Sequence, residues 1–290
     1  MSEATRPTYL ERLAARCVAT GTVLCLGLDP DPASLPAGFS PDLAGVERFA
    51  TVVLDAALPY VAAVKPNLSF YEAFGSAGLA VLERLRARIP SDVVVIGDGK
   101  RGDIDSTSAR QTVAYFDGLG FDAVTINPFV GEEGLRTYLE RADRFAYVLC
   151  RTSNPGASEL QGLRVTDPDE PLWARVARIV ADWGPGGTGG LVVGATAPDE
   201  LREARSIAPG LAFLVPGVGA QGGSIEPVLA AGLATAPPAG GRPGGGLLVN
   251  VSRGIAGAAL AEPGPGVPAD LEERVADAAR SWSAKLPVLP

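Results

Sequence analysis

Short runs of residues that are nearly all apolar recur along the chain, and apolar residues do not alternate with polar ones within them. Continuous apolar runs of about four to eight residues are typical of strands that are buried on both faces of a parallel sheet. We therefore predict eight buried strands, at 23–28, 61–65, 93–98, 123–127, 146–150, 191–194, 212–216 and 247–251.

Between these runs, apolar residues recur at helical spacing. The spacing predicts helices over 46–58, 79–89, 106–119, 132–140, 172–183, 198–207 and 225–231. Eight strands that alternate with helices predict a (β/α)₈ TIM barrel, an α/β fold. The alternative is a doubly wound open sheet, which more often has a glycine-rich turn after its first strand. Here the first strand ends in GLDP at 27–30, which favours the barrel.

The length of 290 residues fits one such barrel. We predict a single domain over 1–290, with an N-terminal helix in 1–20 and a C-terminal helical extension in 258–290.

Three segments outside the predicted elements differ from ordinary short connections. The loop 151–171 follows the fifth strand and is long enough to be a lid. The stretches 184–190 and 234–246 are rich in glycine and proline, and each precedes a strand. They would lie at the N-terminal end of the barrel, away from the usual site, so we expect passive linkers.

The chain contains no histidine. This excludes Ser–His–Asp and Cys–His catalysis, histidine-ligated metals and an imidazole base. Cys17, Cys25 and Cys150 are odd in number and lack the spacing of a metal site, so we predict reduced and mostly buried thiols and no metal.

The net charge of −8 argues against binding to nucleic acid or to an anionic membrane surface. Residues 1–17 contain charged side chains and no apolar run, unlike a signal peptide. The longest apolar stretch, 49–64, is interrupted by Asp55 and Pro59, so we predict no membrane span. These features predict a cytoplasmic protein.

Charged residues are concentrated at the ends of two neighbouring predicted strands. Only three of the 25 basic residues are lysines, and Lys65 and Lys100 both lie at these ends, whereas Lys285 should be an ordinary surface residue. Alternate strand residues point the same way, so Asp98 and Lys100 should enter the barrel mouth beside Lys65, with Asp103 following in the loop. A salt bridge that merely neutralises strand-end charges is the alternative. Buried charges are costly, and lysine can transfer protons, so the set favours a catalytic role.

Five sequence blocks lie at the predicted strand ends. They are LGLDP at 26–30, VKPN at 64–67, DGKRGDI at 98–104, PGVGAQGG at 216–223 and VSRGI at 251–255. In this order they resemble the orotidine 5'-phosphate decarboxylase family, and their individual residues resemble those of its longer bacterial (type 2) subfamily. The resemblance implies decarboxylation of orotidine 5'-phosphate to uridine 5'-phosphate (UMP) and CO₂, the last step of de novo UMP biosynthesis, without metal or organic cofactor.

The resemblance also assigns roles to the charged residues. It implies that Lys100 protonates the carbon that CO₂ leaves, and that Asp98 lies beside the substrate carboxylate. Lys65 and Asp103 would complete a network of fixed charges that stabilises the developing carbanion. In the family, the loop with the last aspartate reaches into the neighbouring subunit, so Asp103 and Thr107 imply a homodimer with shared active sites.

Phosphate binding follows from the last two blocks. The resemblance implies that Arg253 binds the substrate phosphate together with backbone amides of the glycine loop, at Gly217, Gly219 and Gly222. Barrels commonly bind phosphate at these two loops. Gln221 would bridge the phosphate and the base.

The remaining substrate contacts involve the base and the ribose. The resemblance implies that Ser153 contacts the pyrimidine edge, and that Asp29 and Lys65 hold ribose hydroxyls, joined by Thr107 of the partner subunit. For Ser153 and Asp29, capping and an Asp-Pro turn are the structural alternatives.

Two other functions remain open from the sequence. A barrel with the same phosphate site could be an aldolase in which Lys100 or Lys65 forms a Schiff base. The other is a non-catalytic nucleotide-binding barrel that acts as a scaffold. A protein that only binds has no need of charges facing a substrate carboxylate, which disfavours the scaffold.

Overall fold

The structure is a computed structural model that describes residues 6–219, 221–261 and 270–289. The ends of the predicted terminal segments, at 1–5 and at 290, lie outside the described residues. So do 262–269, within the predicted C-terminal extension, and Ala220 of the glycine loop.

Eight parallel strands close into a barrel, which confirms the predicted fold class. The strand bounds are β1 (Leu24–Leu28), β2 (Ala63–Pro66), β3 (Val94–Arg101), β4 (Ala123–Ile126), β5 (Phe145–Arg151), β6 (Arg164–Val165), β7 (Glu170–Pro171), β8 (Gly189–Val193), β9 (Ala212–Val215) and β10 (Leu247–Val251). β6 and β7 form a separate antiparallel hairpin. Each remaining strand pairs with its neighbour in chain order, and β10 pairs with β1 to close the barrel.

Helices follow the strands, as the periodicity predicts. Their bounds in the described chain are α1 (Tyr9–Thr20), α2 (Leu43–Ala57), α3 (Ser69–Glu72), α4 (Gly75–Arg88), α5 (Asp105–Thr112), α6 (Gly131–Leu139), α7 (Ser158–Gln161), α8 (Leu172–Ala181), α9 (Pro198–Ile207), α10 (Ile225–Ala231), α11 (Arg253–Ala256) and α12 (Leu271–Lys285). The predicted helix 106–119 is divided into α5 and a π-helix, Val113–Gly118. None of the described helices is long and apolar enough to cross a membrane.

Helix α1 packs against the N-terminal ends of the barrel strands. Thr8 and Glu11 cap its first turn reciprocally, which satisfies two of the backbone N–H groups there. The ring of Tyr9 stacks on Phe145 with centroids 4.6 Å apart, and its hydroxyl bonds that of Tyr147 at 3.1 Å. This aromatic cluster occupies the N-terminal end of the barrel, so the site lies at the C-terminal end.

The segment 234–246 lies at the predicted end of the barrel but is not a passive linker. Ala239 is fully buried, and Pro243–Gly246 forms a tight turn, with positive φ at its three glycines, that packs against α1. Arg205 of α9 donates to the backbone carbonyls of Leu211, just before β9, and of Gly232, just after α10 (2.7 Å each). The glycine- and proline-rich composition predicted a linker, but small residues also allow a segment to pack closely against its neighbours.

The predicted lid 151–171 has secondary structure of its own. It contains α7 and the β6–β7 hairpin, which Arg164 and Asp169 close with a 2.6 Å hydrogen bond. Glu170 binds Arg175 and Arg178 of α8 at 2.7 Å each, and this attaches the hairpin to the barrel wall.

The prediction that the three thiols are free and mostly buried is confirmed. Cys17, Cys25 and Cys150 are all free and buried. Burial raises the pKa of each thiol to about 12, so all three stay protonated at neutral pH.

Candidate active site

The end of β3 departs from regular strand geometry. Its pairing with β4 stops at Gly97 and resumes at Arg101, so the three residues between them lie opposite Thr125 alone. Lys100 has a φ of +48°, in the left-handed region that residues with a side chain rarely adopt. Asp98 and Lys100 converge as the sequence predicted, but a bulge brings their side chains together in place of the alternation of a regular strand.

Three side chains form what we call the charge network: Lys65, Asp98 and Lys100. Nζ of Lys65 donates to Oδ2 of Asp98 at 2.6 Å, and Nζ of Lys100 donates to Oδ1 at 2.7 Å. The Lys65 side chain is 5% exposed, whereas that of Lys100 is 48% exposed. Lys100 is thus the lysine that a bound molecule can reach.

Opposite charges determine the ionisation of the network. Burial alone would lower the pKa of Lys65, but attraction to Asp98 and Asp29 outweighs it and raises this pKa above its usual value. Burial would raise the pKa of Asp98, yet Lys65 and Lys100 hold it well below its usual range. Lys65 and Asp98 are therefore charged at neutral pH. Two ammonium groups around one carboxylate give the network a net positive charge.

Asp103 and Thr107 lie outside the charge network. Oδ1 of Asp103 accepts the N–H of Ile104 at 2.8 Å. Thr107 lies in the first turns of α5 and is exposed. Within the described chain neither residue bonds a member of the network, so the structure brings together three of the four charged residues that the sequence predicted to meet.

A cavity of about 420 Å³ opens at the C-terminal end of the barrel, between the loops that follow β1, β9 and β10. This volume lies within the range of small-molecule sites. The charge network does not line the cavity, but Asp29 connects the two. Asp29 lines the cavity, accepts the N–H of Asn67 at 3.1 Å and raises the pKa of Lys65.

Arg253 occupies the predicted position in this cavity. It is the first residue of α11, directly after β10 and Ser252. Its side chain lines the cavity, is exposed and has no ion-pair partner among the described residues. A guanidinium without a carboxylate partner at the mouth of a barrel is suited to bind an anion.

The glycine loop is folded onto itself. The N–H groups of Gly219 and Gly222 donate to the carbonyls of Gly223 and Gly219 at 3.1 and 2.7 Å, and that of Gly223 donates to Gly217 at 3.0 Å. Two of the amides predicted to bind phosphate, those of Gly219 and Gly222, are therefore already bonded. In this conformation Arg253 supplies the cationic donor.

Ser153 and Gln221 are hydrogen-bonded to each other. Oγ of Ser153 donates to Oε1 of Gln221 at 2.8 Å, across the loops that follow β5 and β9. Gln161 holds the first loop in place: it accepts the N–H of Thr152 at 2.9 Å and donates to the Thr152 hydroxyl at 2.8 Å.

Sequence reasoning missed three residues around the site. Thr125 on β4 bonds Asp98, and the buried Asn250 on β10 lines the cavity with its Oδ1 lacking a hydrogen-bond partner in the described chain. Both are polar residues within apolar runs, and that was the available signal. Trp282 of α12 gave no such signal, yet its Nε1 donates to the carbonyl of Gly254 at 3.0 Å, and its ring packs against Gly219.

Comparison with known proteins identifies the family. Residues 22–263 match the orotidine 5'-phosphate decarboxylase / HUMPS family. The orotidine 5'-phosphate decarboxylase of Herpetosiphon aurantiacus is 46% identical over 224 residues, which are 77% of this chain and 84% of that protein. The enzyme of the same name from Thermomicrobium roseum is 44% identical over 225 residues, 77% of this chain and 80% of that protein.

Solved structures agree with these sequence relatives. The Leishmania donovani OMP decarboxylase superposes with a TM-score of 0.78 at 33% identity, covering 96% of this chain and 98% of that chain. The barrel fold, the five sequence blocks at the strand ends and the sequence relatives all indicate the same family. The chain belongs to the orotidine 5'-phosphate decarboxylase / HUMPS family.

Proposed function

We propose that the charge network is the catalytic centre of an orotidine 5'-phosphate decarboxylase, with Lys100 as the proton donor. The chain decarboxylates orotidine 5'-phosphate to UMP and CO₂, the last step of de novo UMP biosynthesis. The observation that carries the role of Lys100 is its ammonium group, held at 2.7 Å by Asp98 and half-exposed at the barrel mouth.

The proposed reaction needs one bond broken and one proton delivered. The bond between the ring carbon and the carboxylate breaks, CO₂ leaves, and the electron pair stays on the carbon. Lys100 then transfers a proton from Nζ to that carbon and becomes a neutral amine. Asp98 and Lys65 are already charged and bonded, so little reorganisation accompanies the charge that develops.

Substrate binding divides between the ends of the site. Arg253 binds the phosphate, supported by its position in the cavity without an ion-pair partner in the described chain. Asp29, between the cavity and Lys65, is suited to hold ribose hydroxyls together with that lysine. The bonded pair of Ser153 and Gln221 contacts the base.

A homodimer with shared sites completes the proposal. Asp103 and Thr107 do not reach the charge network of their own chain, which is expected if they serve the partner's site. Two large apolar side chains near them support an interface there: Ile104 is 54% exposed and Phe129 78% exposed. A dimer related by a two-fold axis would cover both copies of this surface.

We also propose the type 2 subfamily and a cytoplasmic location. The five sequence blocks support the subfamily. Three free, buried cysteines are typical of a reducing compartment.

The test is an absorbance assay with the purified chain. We expect orotidine 5'-phosphate to be consumed with stoichiometric release of UMP and CO₂, at the same rate before and after treatment with a chelator. Borohydride added during turnover should leave no covalent adduct. Absence of turnover would contradict the reaction, and a trapped adduct on Lys100 or Lys65 would indicate a Schiff base instead.

A further inference from the structure

Thr125 is the single residue of β4 opposite the bulge of β3. In a bulge, some backbone groups lose their partners in the ladder, and an unpaired N–H group in the barrel interior is costly. The Thr125 hydroxyl replaces one missing partner, because the N–H of Lys100 donates to Oγ1 at 3.0 Å. Thr125 is only 2% exposed, so water does not compete for this bond.

The same hydroxyl group is also a donor. Oγ1 of Thr125 donates to Oδ1 of Asp98 at 2.9 Å, and this carboxylate oxygen also accepts the Nζ of Lys100. A hydroxyl has one donor and two acceptor sites, so both bonds form at once. One side chain thus links the backbone of Lys100 to the carboxylate that binds its ammonium.

The strained backbone of Lys100 makes this link important. A residue with a side chain stays at a positive φ only where its surroundings hold it. On the C-terminal side, Arg101 is held by the N–H of Asn127, which donates to its carbonyl at 2.7 Å, and by Tyr115, which accepts from its guanidinium at 2.5 Å. Thr125 holds Lys100 itself and contacts Asp98 directly.

We propose that Thr125 is a positioning residue for the decarboxylation. Its hydroxyl holds the bulge so that Nζ of Lys100 and the carboxylate of Asp98 keep their relative position, and it exchanges no proton with the substrate. The proposal rests on the role of Lys100 as proton donor. Because Arg253, the proposed phosphate ligand, lines the cavity and Thr125 does not, loss of the hydroxyl should lower kcat and leave KM nearly unchanged.

Two variants separate the hydroxyl from the shape of the side chain. Thr125→Val replaces the hydroxyl by a methyl group, and Thr125→Ser keeps the hydroxyl. We expect kcat of Thr125→Val to fall about 10- to 100-fold, since a misplacement of about 1 Å can cost that much. Its KM and its inhibition by UMP should stay within about threefold of wild type, and Thr125→Ser should retain kcat within about threefold.

A second comparison covers the case in which Thr125→Val does not fold. Thr125→Ala and Thr125→Ser differ only in the hydroxyl, so the ratio of their kcat values measures the same effect. Thr188→Val is the matched control: Thr188 is buried next to β8, and its hydroxyl has no hydrogen-bond partner in the described part of the chain. We expect its kcat to equal that of wild type.

Four results would overturn the proposal. In the first, Thr125→Val or Thr125→Ala keeps kcat within threefold of wild type. In the second, kcat of Thr125→Ser falls as far as that of Thr125→Ala. In the third, the substitutions raise KM and leave kcat unchanged. The fourth is near-normal turnover by Lys100→Ala, which would also remove the proposed function. An inactive Lys100→Ala beside a fully active Thr125→Val would remove the positioning role alone.

Discussion

At the scale of single residues, the two lysines of the charge network differ in what they can do. Lys65 is buried and paired with Asp98, so it serves as a fixed charge. Lys100 binds the other oxygen of the same carboxylate but is half-exposed. Its greater exposure, more than the ion pair itself, makes Lys100 the candidate for proton transfer to a bound molecule.

The ionisation of the network predicts how stability depends on pH. The pKa of Asp98 is lower in the folded chain than in the unfolded chain, so its stabilisation is present above about pH 4 and decreases as pH falls towards the folded value. The raised pKa of Lys65 acts at the alkaline end: its stabilisation is present below about pH 10 and is lost as pH rises through the folded value.

We therefore expect wild type to exceed Asp98→Asn in free energy of unfolding by a constant amount between about pH 5 and pH 7. At pH 3 this difference should shrink by roughly 1 kcal/mol, because Asp98 is then mostly protonated in the unfolded chain. Urea unfolding at pH 7 and pH 3 measures both values. An unchanged difference at pH 3 would show that Asp98 has no lowered pKa.

Arg253 allows a separate test of the phosphate end. Removing one charged donor to an anion typically costs about 1.5–3 kcal/mol, so Arg253→Ala should raise KM about 10- to 100-fold, with a smaller effect on kcat. Arg202→Ala, on the exposed face of α9, is the matched control and should leave KM unchanged. An unchanged KM in Arg253→Ala would exclude this residue from the site.

At the scale of elements, the strands were predictable and the bulge was not. Continuous apolar runs predict all eight barrel strands, because burial on both faces leaves few polar positions. The bulge at Asp98–Lys100 depends on Thr125, which is 25 residues away from Lys100 and bonds its backbone. No local pattern contains that bond.

The site shows the same division. Strand ends predict that Lys65, Asp98 and Lys100 converge, because neighbouring strands end at one mouth. Whether the amides of the glycine loop are free is a matter of loop conformation, and several hydrogen bonds within the loop occupy them. The position of Asp103 within one chain likewise depends on the path of the connection after β3.

A second charged cluster lies at the opposite end of the barrel. We expect its disruption to lower the free energy of unfolding and to leave kcat unchanged. The buried carboxylate of Asp122 accepts the N–H of Val95 at 2.9 Å and pairs with Arg12 at 2.6 Å and Arg144 at 3.5 Å. Asp122→Asn leaves these arginines without their carboxylate, so we expect a loss of about 3–5 kcal/mol in free energy of unfolding.

Urea denaturation measures this loss, and kcat per folded molecule should stay at the wild-type value. Asp199→Asn, which removes an exposed pair with Arg202, is the control and should change stability by less than about 0.5 kcal/mol. If Asp122→Asn lost no more free energy of unfolding than the control, the buried cluster would contribute little to stability.

At the scale of the whole molecule, the proposed dimer makes each site depend on two chains. Mixing Asp103→Ala and Lys100→Ala chains, followed by unfolding and refolding together, should give mixed dimers with one intact site each. Random pairing then predicts recovery of about a quarter of wild-type activity, although each variant alone is inactive. No recovery, with mixed dimers verified by mass, would mean that each subunit supplies its whole site.

The central claim is that the ammonium of Lys100 supplies the proton, and the turnover of Lys100→Ala tests it most directly. Binding of UMP should remain measurable in this variant, because the phosphate contacts lie elsewhere. Product formation should fall by at least about 100-fold, the lower range for loss of a positioned acid, whereas Lys285→Ala should match wild type. Turnover of Lys100→Ala within tenfold of wild type would contradict the assignment of Lys100 as the proton donor.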